Sequence, residues 1–322
     1  MPKVSFILPA YKRAFLKEAI DSVLAQTCRD FELVVVDDKS PEKLYEVIKE
    51  YPWEKDFTAL PDGGRKWIVD GVPVRYYENP ENIGGKDLVA AWNHAMEYAM
   101  GEWCVLASDD DVYRSEYLQE MLCLQCKYPQ CDVFHCRIKA IDGSGNTLWV
   151  GEARDEFETP AAMLYNTAVR RIAIRASDVM FRKARWKERG GFYQSRRAWF
   201  SDIGSWISIA SEFGACCSPK ILFYWRESGV NISNVHNDLK EKTIAGFEFL
   251  SWAHALIANV KAGSSEDAKC LHGAEIEIDG VTCSLMRYVA KRAPLRALLE
   301  TLASVEIPLM FKLRLIKDRL YI

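Results

Sequence analysis

Apolar and polar positions in the first third of the chain alternate between two rhythms. Val4, Phe6, Ile7 and Leu8 form a short, nearly continuous apolar run closed by Pro9-Ala10-Tyr11, the pattern of a strand covered on both faces. Leu16, Ala19, Ile20, Val23 and Leu24 then recur at helical spacing. A second buried strand, Phe31 to Val36, runs straight into Asp37-Asp38-Lys39-Ser40-Pro41. A helix over 42–51 is predicted next, followed by an irregular stretch, 52–73, that reads as an insertion. A short strand over 74–77 passes through Asn79-Pro80-Glu81-Asn82-Ile83-Gly84-Gly85-Lys86 into a helix carrying Leu88, Ala91, Trp92, Ala95 and Ala99. Cys104 to Ala107 is again an apolar run, ending in Ser108-Asp109-Asp110-Asp111. The repetition places polar residues at the strands' carboxyl ends, the edge at which open α/β sheets bind ligands.

The second half is less regular. A helix over 115–128 and a strand over 133–141 are followed by a turn at Asp142-Gly143-Ser144-Gly145 and Leu148-Trp149-Val150, a hairpin. Ile172-Ala173-Ile174, Val179-Met180-Phe181-Arg182, a helix over 183–189 and Gly190-Gly191-Phe192 indicate a mixed arrangement. Phe200-Ser201-Asp202-Ile203 opens a helix with Trp206, Ile207, Ile209 and Ala210 inward, and 220–225 is a last strand. From about residue 237 the pattern is helical.

At 322 residues and 49% apolar composition the chain can bury a sizeable core. A formal charge of -3 supplies no field for a polyanion, which argues against nucleic acid as a partner. The start Met-Pro-Lys-Val-Ser lacks a signal peptide's charge and apolar pattern, so the ten cysteines are expected reduced, in a cytoplasmic location. Cys123 and Cys126 form a C-x-x-C inside a helical pattern without a second Cys/His pair, which favours packing over zinc. No apolar run reaches bilayer-spanning length. Residues 285–322 carry eight Lys and Arg against three Asp and Glu, interleaved with Leu309, Met310, Phe311, Leu313, Leu315 and Ile316. That composition suits peripheral contact with an anionic membrane surface, and equally a basic helix closing the core.

The candidate chemistry lies at Asp109, Asp110 and Asp111. Three carboxylates at the end of a buried strand require a counter-ion, and hard oxygen ligands there suit Mg²⁺ or Mn²⁺ shared with substrate phosphates. An acidic turn with Asp111 near the start of the next helix accounts for them equally well. Gly84 and Gly85 permit close backbone approach, and Lys86 beside a helix N-terminus suits a phosphate, although a plain Asn-Gly loop has the same sequence.

Several segments in order resemble family 2 glycosyltransferases of the GT-A fold. They are Val4 to Tyr11 with Ser22-Val23-Leu24-Ala25-Gln26-Thr27; Phe31 to Ser40; Asn82-Ile83-Gly84-Gly85; Gly101-Glu102-Trp103 through Asp111; Val179 to Arg182 with Gly190-Gly191-Phe192; and Ser201-Asp202 with Trp225-Arg226. The resemblance covers roughly residues 2–233. It implies an α/β fold with a Rossmann-like, mostly parallel central sheet flanked by helices. On that reading residues 1–235 form the transferase domain, with a nucleotide-binding half (1–113) and an acceptor half (114–235), and 236–322 form a helical C-terminal extension.

The resemblance also implies roles. Tyr11 stacks on the nucleotide base, Asp38 hydrogen-bonds it, and Asp109 or Ser108 holds the ribose. Pro9, Ala10, Arg13 and Lys86 complete the nucleotide site, Asp110 with Asp111 binds Mn²⁺ or Mg²⁺, and Asp202 is the general base of an inverting transfer. Arg226-Glu227-Ser228 stands where many members have Arg-x-His, with His236 nearby in sequence. The expected substrates are a nucleotide-sugar donor, a UDP-linked hexose or N-acetylhexosamine, and a glycan or lipid-linked glycan acceptor in surface polysaccharide synthesis. Two rivals are a nucleotidyltransferase, for which Pro9-Ala10-Tyr11-Lys12-Arg13 lacks the glycines of a triphosphate loop, and a non-catalytic sugar-nucleotide-binding partner, against which Asp202 argues.

Overall fold

A computed structural model describes residues 2–227 and 238–320. In chain order it contains β1 (Val4–Ala10), α1 (Leu16–Leu24), β2 (Phe31–Asp37), α2 (Tyr45–Ile48), β3 (Thr58–Ala59), β4 (Arg65–Val69), β5 (Val72–Glu78), α3 (Leu88–Met96), β6 (Trp103–Leu106), β7 (Val112–Tyr113), α4 (Tyr117–Lys127), β8 (Val133–Asp142), β9 (Thr147–Val150) and β10 (Phe157–Glu158). Then follow α5 (Pro160–Leu164), one π-helical turn over Tyr165–Val169, β11 (Val179–Arg182), α6 (Lys183–Glu188), α7 (Ser201–Ala210) and β12 (Ala215–Glu227). Four helices end the chain: α8 (Leu239–Asn259), α9 (Ser265–Arg292), α10 (Leu295–Ala303) and α11 (Leu309–Leu320).

The sheet runs β10-β12-β8-β11-β6-β1-β2-β5-β4-β3. Its centre is parallel, with β1 between β2 and β6 and β5 beyond β2. Antiparallel strands flank that centre, β11 on one side and the β4–β3 hairpin on the other. The two-residue repeat of a strand explains the unbroken apolar runs. Val4, Phe6 and Leu8 of β1 with Leu33 and Val35 of β2 enter one core beneath α1 and α4, whereas Ile7, Val34 and Val36 enter a second core beneath α3 and α7. Both faces are covered, so polarity can appear only at strand ends. A third core joins α5 and α7 to α8 and α9, and a fourth joins α8 and α9 to α10 and α11.

A buried ion pair braces the parallel centre. Arg75 of β5 donates to Glu32 Oε2 through Nε at 3.1 Å and Nη2 at 2.7 Å. Glu32 Oε1 in turn accepts from the Ser5 hydroxyl at 2.6 Å and the Met100 N–H at 2.8 Å. These contacts fix the turn that launches β6. A Cβ at Gly101 would lie 2.7 Å from Ser5 N, so the close approach there requires glycine.

Some expectations need correction. The helix over 42–51 contracts to α2, and the expected insertion contains β3 and β4, which extend the sheet. The last strand starts at Ala215, five residues early, because it bulges past Ser218 and Pro219. Cys123 and Cys126 fall on the exposed side of α4 and pack in no core. Ser228 and His236 lie outside the described residues.

Candidate active site

The carboxyl ends of β1, β2 and β6 open onto a cavity of about 1160 Å³, which is also lined by residues 171, 174–177, 194–200 and the start of α7. Pro9, Ala10, Tyr11, Asp38, Lys86, Ser108, Asp109, Asp110, Asp111 and Asp202 all line it. Arg13 does not. Its N–H donates to Glu42 at 2.6 Å and its guanidinium lies 3.7 Å from Glu50, which draws it away from the nucleotide site expected for it.

The three carboxylates differ in what they touch. Asp109 Oδ2 accepts the N–H groups of Tyr11 and Lys12, both at 2.7 Å, tying the end of β1 to the acidic edge. Asp110 Oδ1 accepts the Ser108 hydroxyl at 2.5 Å, and its Oδ2 pairs with Lys12 Nζ at 3.2 Å. Asp111 Oδ1 accepts the Arg226 N–H at 2.8 Å, while Arg226 Nε donates to the Asp110 carbonyl at 2.9 Å. One oxygen of Asp111 is thus committed to holding β12 against the acidic edge. Burial pushes the Asp109 carboxyl up to about 6, with the charge of Asp110 adding to it, and burial raises Asp111 well above the usual carboxylate range.

Asp38 is saturated by the turn that follows β5. Oδ1 accepts from Asn79 Nδ2 at 2.8 Å and Ile83 N at 2.9 Å, and Oδ2 from Asn82 Nδ2 at 3.0 Å and Gly84 N at 2.7 Å. It holds the Asn79–Gly84 turn at the cavity wall. Tyr11 is 44% exposed there, a ring surface open to stacking.

Asp202 sits in the first turn of α7, two residues after the N-cap position at Phe200, where a carboxylate also favours the helix dipole. Its Oδ1 accepts the Ile203 N–H at 2.8 Å. The segment delivering it is strained: Arg197, Ala198 and Phe200 have φ of 57°, 53° and 70°, each costing about 1–2 kcal/mol for a non-glycine residue. Such conformations persist only where the surroundings enforce them, and they gather at functional sites.

Whether these residues fit a divalent cation follows from the donor set. Buried, adjacent carboxylates at a cavity floor are hard oxygen donors, although among the described residues no group of three or more His, Cys, Asp or Glu is arranged to hold a metal ion by itself. That combination fits an ion held by one or two protein oxygens and otherwise by substrate and water, the habit of Mg²⁺ and Mn²⁺. Lys12 sets an opposing charge beside Asp110.

Five cationic cavity residues have no counterpart among the sequence-derived site residues: Lys12, Arg171, Arg175, Arg196 and Arg197. Lys12 is within reach of sequence reasoning, since it directly follows the strand-end tyrosine. The arginines fall in segments without periodicity, where no pattern announces which side chains turn inward.

The sequence model of glycosyl transferase family 2 matches residues 5–188, more than half of the chain. The chain belongs to glycosyl transferase family 2. This glycosyltransferase is 25% identical over 212 residues to the putative teichuronic acid biosynthesis glycosyltransferase TuaG of Bacillus subtilis, covering 65% of this chain and 72% of TuaG. It is 29% identical over 150 residues to an uncharacterized glycosyltransferase of Rickettsia typhi, covering 46% of this chain and 40% of that protein. The match thus spans about two fifths of the Rickettsia relative's length. Among solved structures, residues 1–349 of S. aureus TarS in complex with UDP-GlcNAc superpose with a TM-score of 0.62 at 15% identity, covering 98% of this chain and 89% of that one. The mannosyltransferase PcManGT of Pyrobaculum calidifontis, in complex with GDP-Man and Mn²⁺, gives 0.56 at 16% identity, covering 99% and 80%. These likenesses establish the GT-A fold for this family 2 glycosyltransferase. Family membership also sets the nucleotidyltransferase alternative aside.

Proposed function

We propose that this glycosyltransferase is metal-dependent and inverting, and that it moves a hexose or N-acetylhexosamine from a UDP-linked donor to a glycan hydroxyl in surface polysaccharide synthesis. The carrying observation is that Asp110, at the carboxyl end of β6, and Asp202, on α7, line one cavity. Its volume of about 1160 Å³ exceeds the roughly 300–1,000 Å³ of a single-ligand pocket, leaving room for donor and acceptor together. The UDP-GlcNAc held by TarS and the teichuronic acid role in TuaG's name support the donor and the product class.

In this reading Tyr11 stacks on the base above the loop that Asp38 braces, Pro9 and Ala10 present backbone to it, and Asp109 and Ser108 face the ribose. Lys86, paired with Glu81 at 2.8 Å, is positioned to exchange that partner for a donor phosphate. Asp110 is the ligand for Mn²⁺ or Mg²⁺, with Asp111 behind it. A bound divalent ion supplies Lewis-acid stabilisation of the departing diphosphate. Asp202 takes the acceptor hydroxyl's proton as that oxygen attacks the anomeric carbon and the carbon–diphosphate bond breaks on the opposite face. A positioned carboxylate contributes about 10² to 10⁴ in rate.

The transferase domain, 1–235, supplies all of these groups. Residues 285–322, the basic end of the helical extension 236–322, are assigned to peripheral contact with the cytoplasmic face of a membrane, where a lipid-linked acceptor would be met. Among the described residues no helix is long and apolar enough to cross a membrane.

Two variants test the chemistry. Asp202→Asn is expected to bind UDP with Mn²⁺ as the parent does and to lose transfer by about 10²- to 10⁴-fold. Asp110→Ala is expected to lose the Mn²⁺-dependent part of UDP binding as well as turnover. Transfer retained by Asp202→Asn removes it as the base, and Mn²⁺-dependent UDP binding retained by Asp110→Ala removes that residue as the ligand.

A further inference from the structure

Six cationic side chains line the cavity: Lys12, Lys86, Arg171, Arg175, Arg196 and Arg197. Four of them are paired with carboxylates. Lys12 meets Asp110 at 3.2 Å and Lys86 meets Glu81 at 2.8 Å. Arg196 meets Glu241 and Glu248 at 3.2 Å and Glu306 at 3.0 Å, and Arg197 meets Asp238 at 2.9 Å. Arg171 and Arg175 have no carboxylate within ion-pair distance among the described residues. A guanidinium on a cavity wall without a counter-charge is a ready partner for a bound anion, which it can grip with two parallel hydrogen bonds.

Arg175 is held in place without an ion pair to its guanidinium among the described residues. Its N–H donates to Asp178 at 2.5 Å, its carbonyl accepts Trp206 Nε1 at 2.8 Å, and its guanidinium lies 4.6 Å from the Trp225 ring centre and 5.6 Å from that of Trp149. Arg171, four residues earlier, lies 5.8 Å from the Phe200 ring centre. It remains accessible to solvent although protein surrounds it on the cavity wall. Of the two, Arg171 is the one set against Phe200, the residue that leads into α7, whose first turn carries Asp202 on the same cavity wall. Desolvation by the surrounding protein lowers the pKa of Arg171, Asp202 opposes that shift, and Arg175 reinforces it by like charge. Arg175 instead donates from Nη1 to the Ile174 carbonyl at 3.0 Å.

We infer that the acceptor carries an anionic group, phosphate or carboxylate, close to the hydroxyl that is glycosylated, and that Arg171 receives it beside Asp202. The inference rests on the transferase reading above, which places the donor's diphosphate at Asp110 and Lys12 and the acceptor hydroxyl at Asp202. Arg175, fixed by its tryptophans, lines the same wall and adds to the field. A neutral acceptor would offer neither guanidinium an ion pair.

The test titrates the full chain with three probes of matched length: a glycerol phosphate oligomer, an oligogalacturonate and a neutral maltooligosaccharide. Each is measured with and without UDP and Mn²⁺. At least one anionic probe is expected to bind tenfold or more tightly than the neutral one, and which of the two does so distinguishes phosphate from carboxylate. Arg171→Gln is expected to abolish that preference while changing UDP affinity less than twofold, and Arg171→Lys to restore part of it. Equal binding of charged and neutral probes overturns the inference. So does a loss of UDP affinity in Arg171→Gln as large as the loss for the anionic probe, which would assign Arg171 to the leaving diphosphate. Because the preference is also read without UDP, its failure is distinct from a failure of UDP to bind, which would remove the donor site instead.

Discussion

Asp178 and His135 are both fully buried, with His135 Nδ1 3.7 Å from Asp178 Oδ2. Among the described residues, neither histidine nitrogen nor Asp178 Oδ2 has a hydrogen-bond partner. Burial pushes the Asp178 carboxyl up to about 7, opposed by Arg175 and Arg154, and holds His135 well below the ordinary imidazole range. Between about pH 4, where an unfolded aspartate titrates, and about 7 the folded chain therefore binds a proton that the unfolded chain does not. This group's contribution consequently lowers stability as pH rises through that window and is constant outside it. An asparagine at 178 removes the titration, keeps an oxygen for the Arg175 N–H and turns an amide toward His135. Asp178→Asn is accordingly expected to raise Tm, relative to the parent, more at pH 8 than at pH 5. Thermal unfolding at the two pH values checks this, and an equal difference at both would show that Asp178 is ionised throughout.

At the scale of elements, the turn Asn79–Gly84 depends on a carboxylate at the end of a neighbouring strand. Removing it by Asp38→Ala leaves four donors without their acceptor, and with about 1–3 kcal/mol for each buried group left unpaired, partly relieved by water, a net loss of about 2–4 kcal/mol is expected. UDP affinity should fall with it, because the turn lines the cavity; denaturant unfolding and UDP titration of the variant measure both. Unchanged stability would mean that the turn holds without Asp38. The run Phe31 to Val36 ending in two aspartates is readable from sequence, because a strand covered on both faces must stay apolar until it leaves the sheet. That those oxygens brace a loop some forty residues later is not, since only the folded register brings Asn79 and Gly84 to them. Strand β4 is obscure for a related reason: Arg65, Lys66 and the 61%-exposed Ile68 surround a single buried Trp67, as an outer strand permits. The triad at 109–111 is legible as charge against an apolar run, whereas Arg171 and Arg175 sit in irregular backbone. The direction of that backbone at Arg175 is set by contacts with Asp178 and Trp206.

At the scale of the whole molecule, α11 is apolar on two sides. Phe311 and Leu315 pack into the core shared with α8, α9 and α10, while Leu309, Leu313 and Ile316, at spacings of four and three residues, share an outward face and are 69%, 53% and 40% exposed. Leu295 and Leu299 of α10 are exposed in the same manner, at 64% and 57%. Exposed cations accompany them: Arg292, Arg296, Arg314 and Lys317. An aliphatic face among basic residues is complementary to an anionic bilayer surface, where insertion of the aliphatic groups and attraction of the cations act together. If Leu309, Leu313 and Ile316 each insert about half of their surface, they contribute roughly 1 kcal/mol apiece, so about 3 kcal/mol or a hundredfold in partitioning. The full chain is therefore expected to co-sediment with phosphatidylglycerol vesicles, less so with phosphatidylcholine vesicles and less at high salt. Replacing Leu309, Leu313 and Ile316 together by Gln should release most of it while leaving Tm unchanged, because that face packs in none of the cores. Equal sedimentation of parent and triple variant would assign the outward face to something other than lipid, and an acceptor anchored in a membrane would then have to reach the cavity without help from these helices.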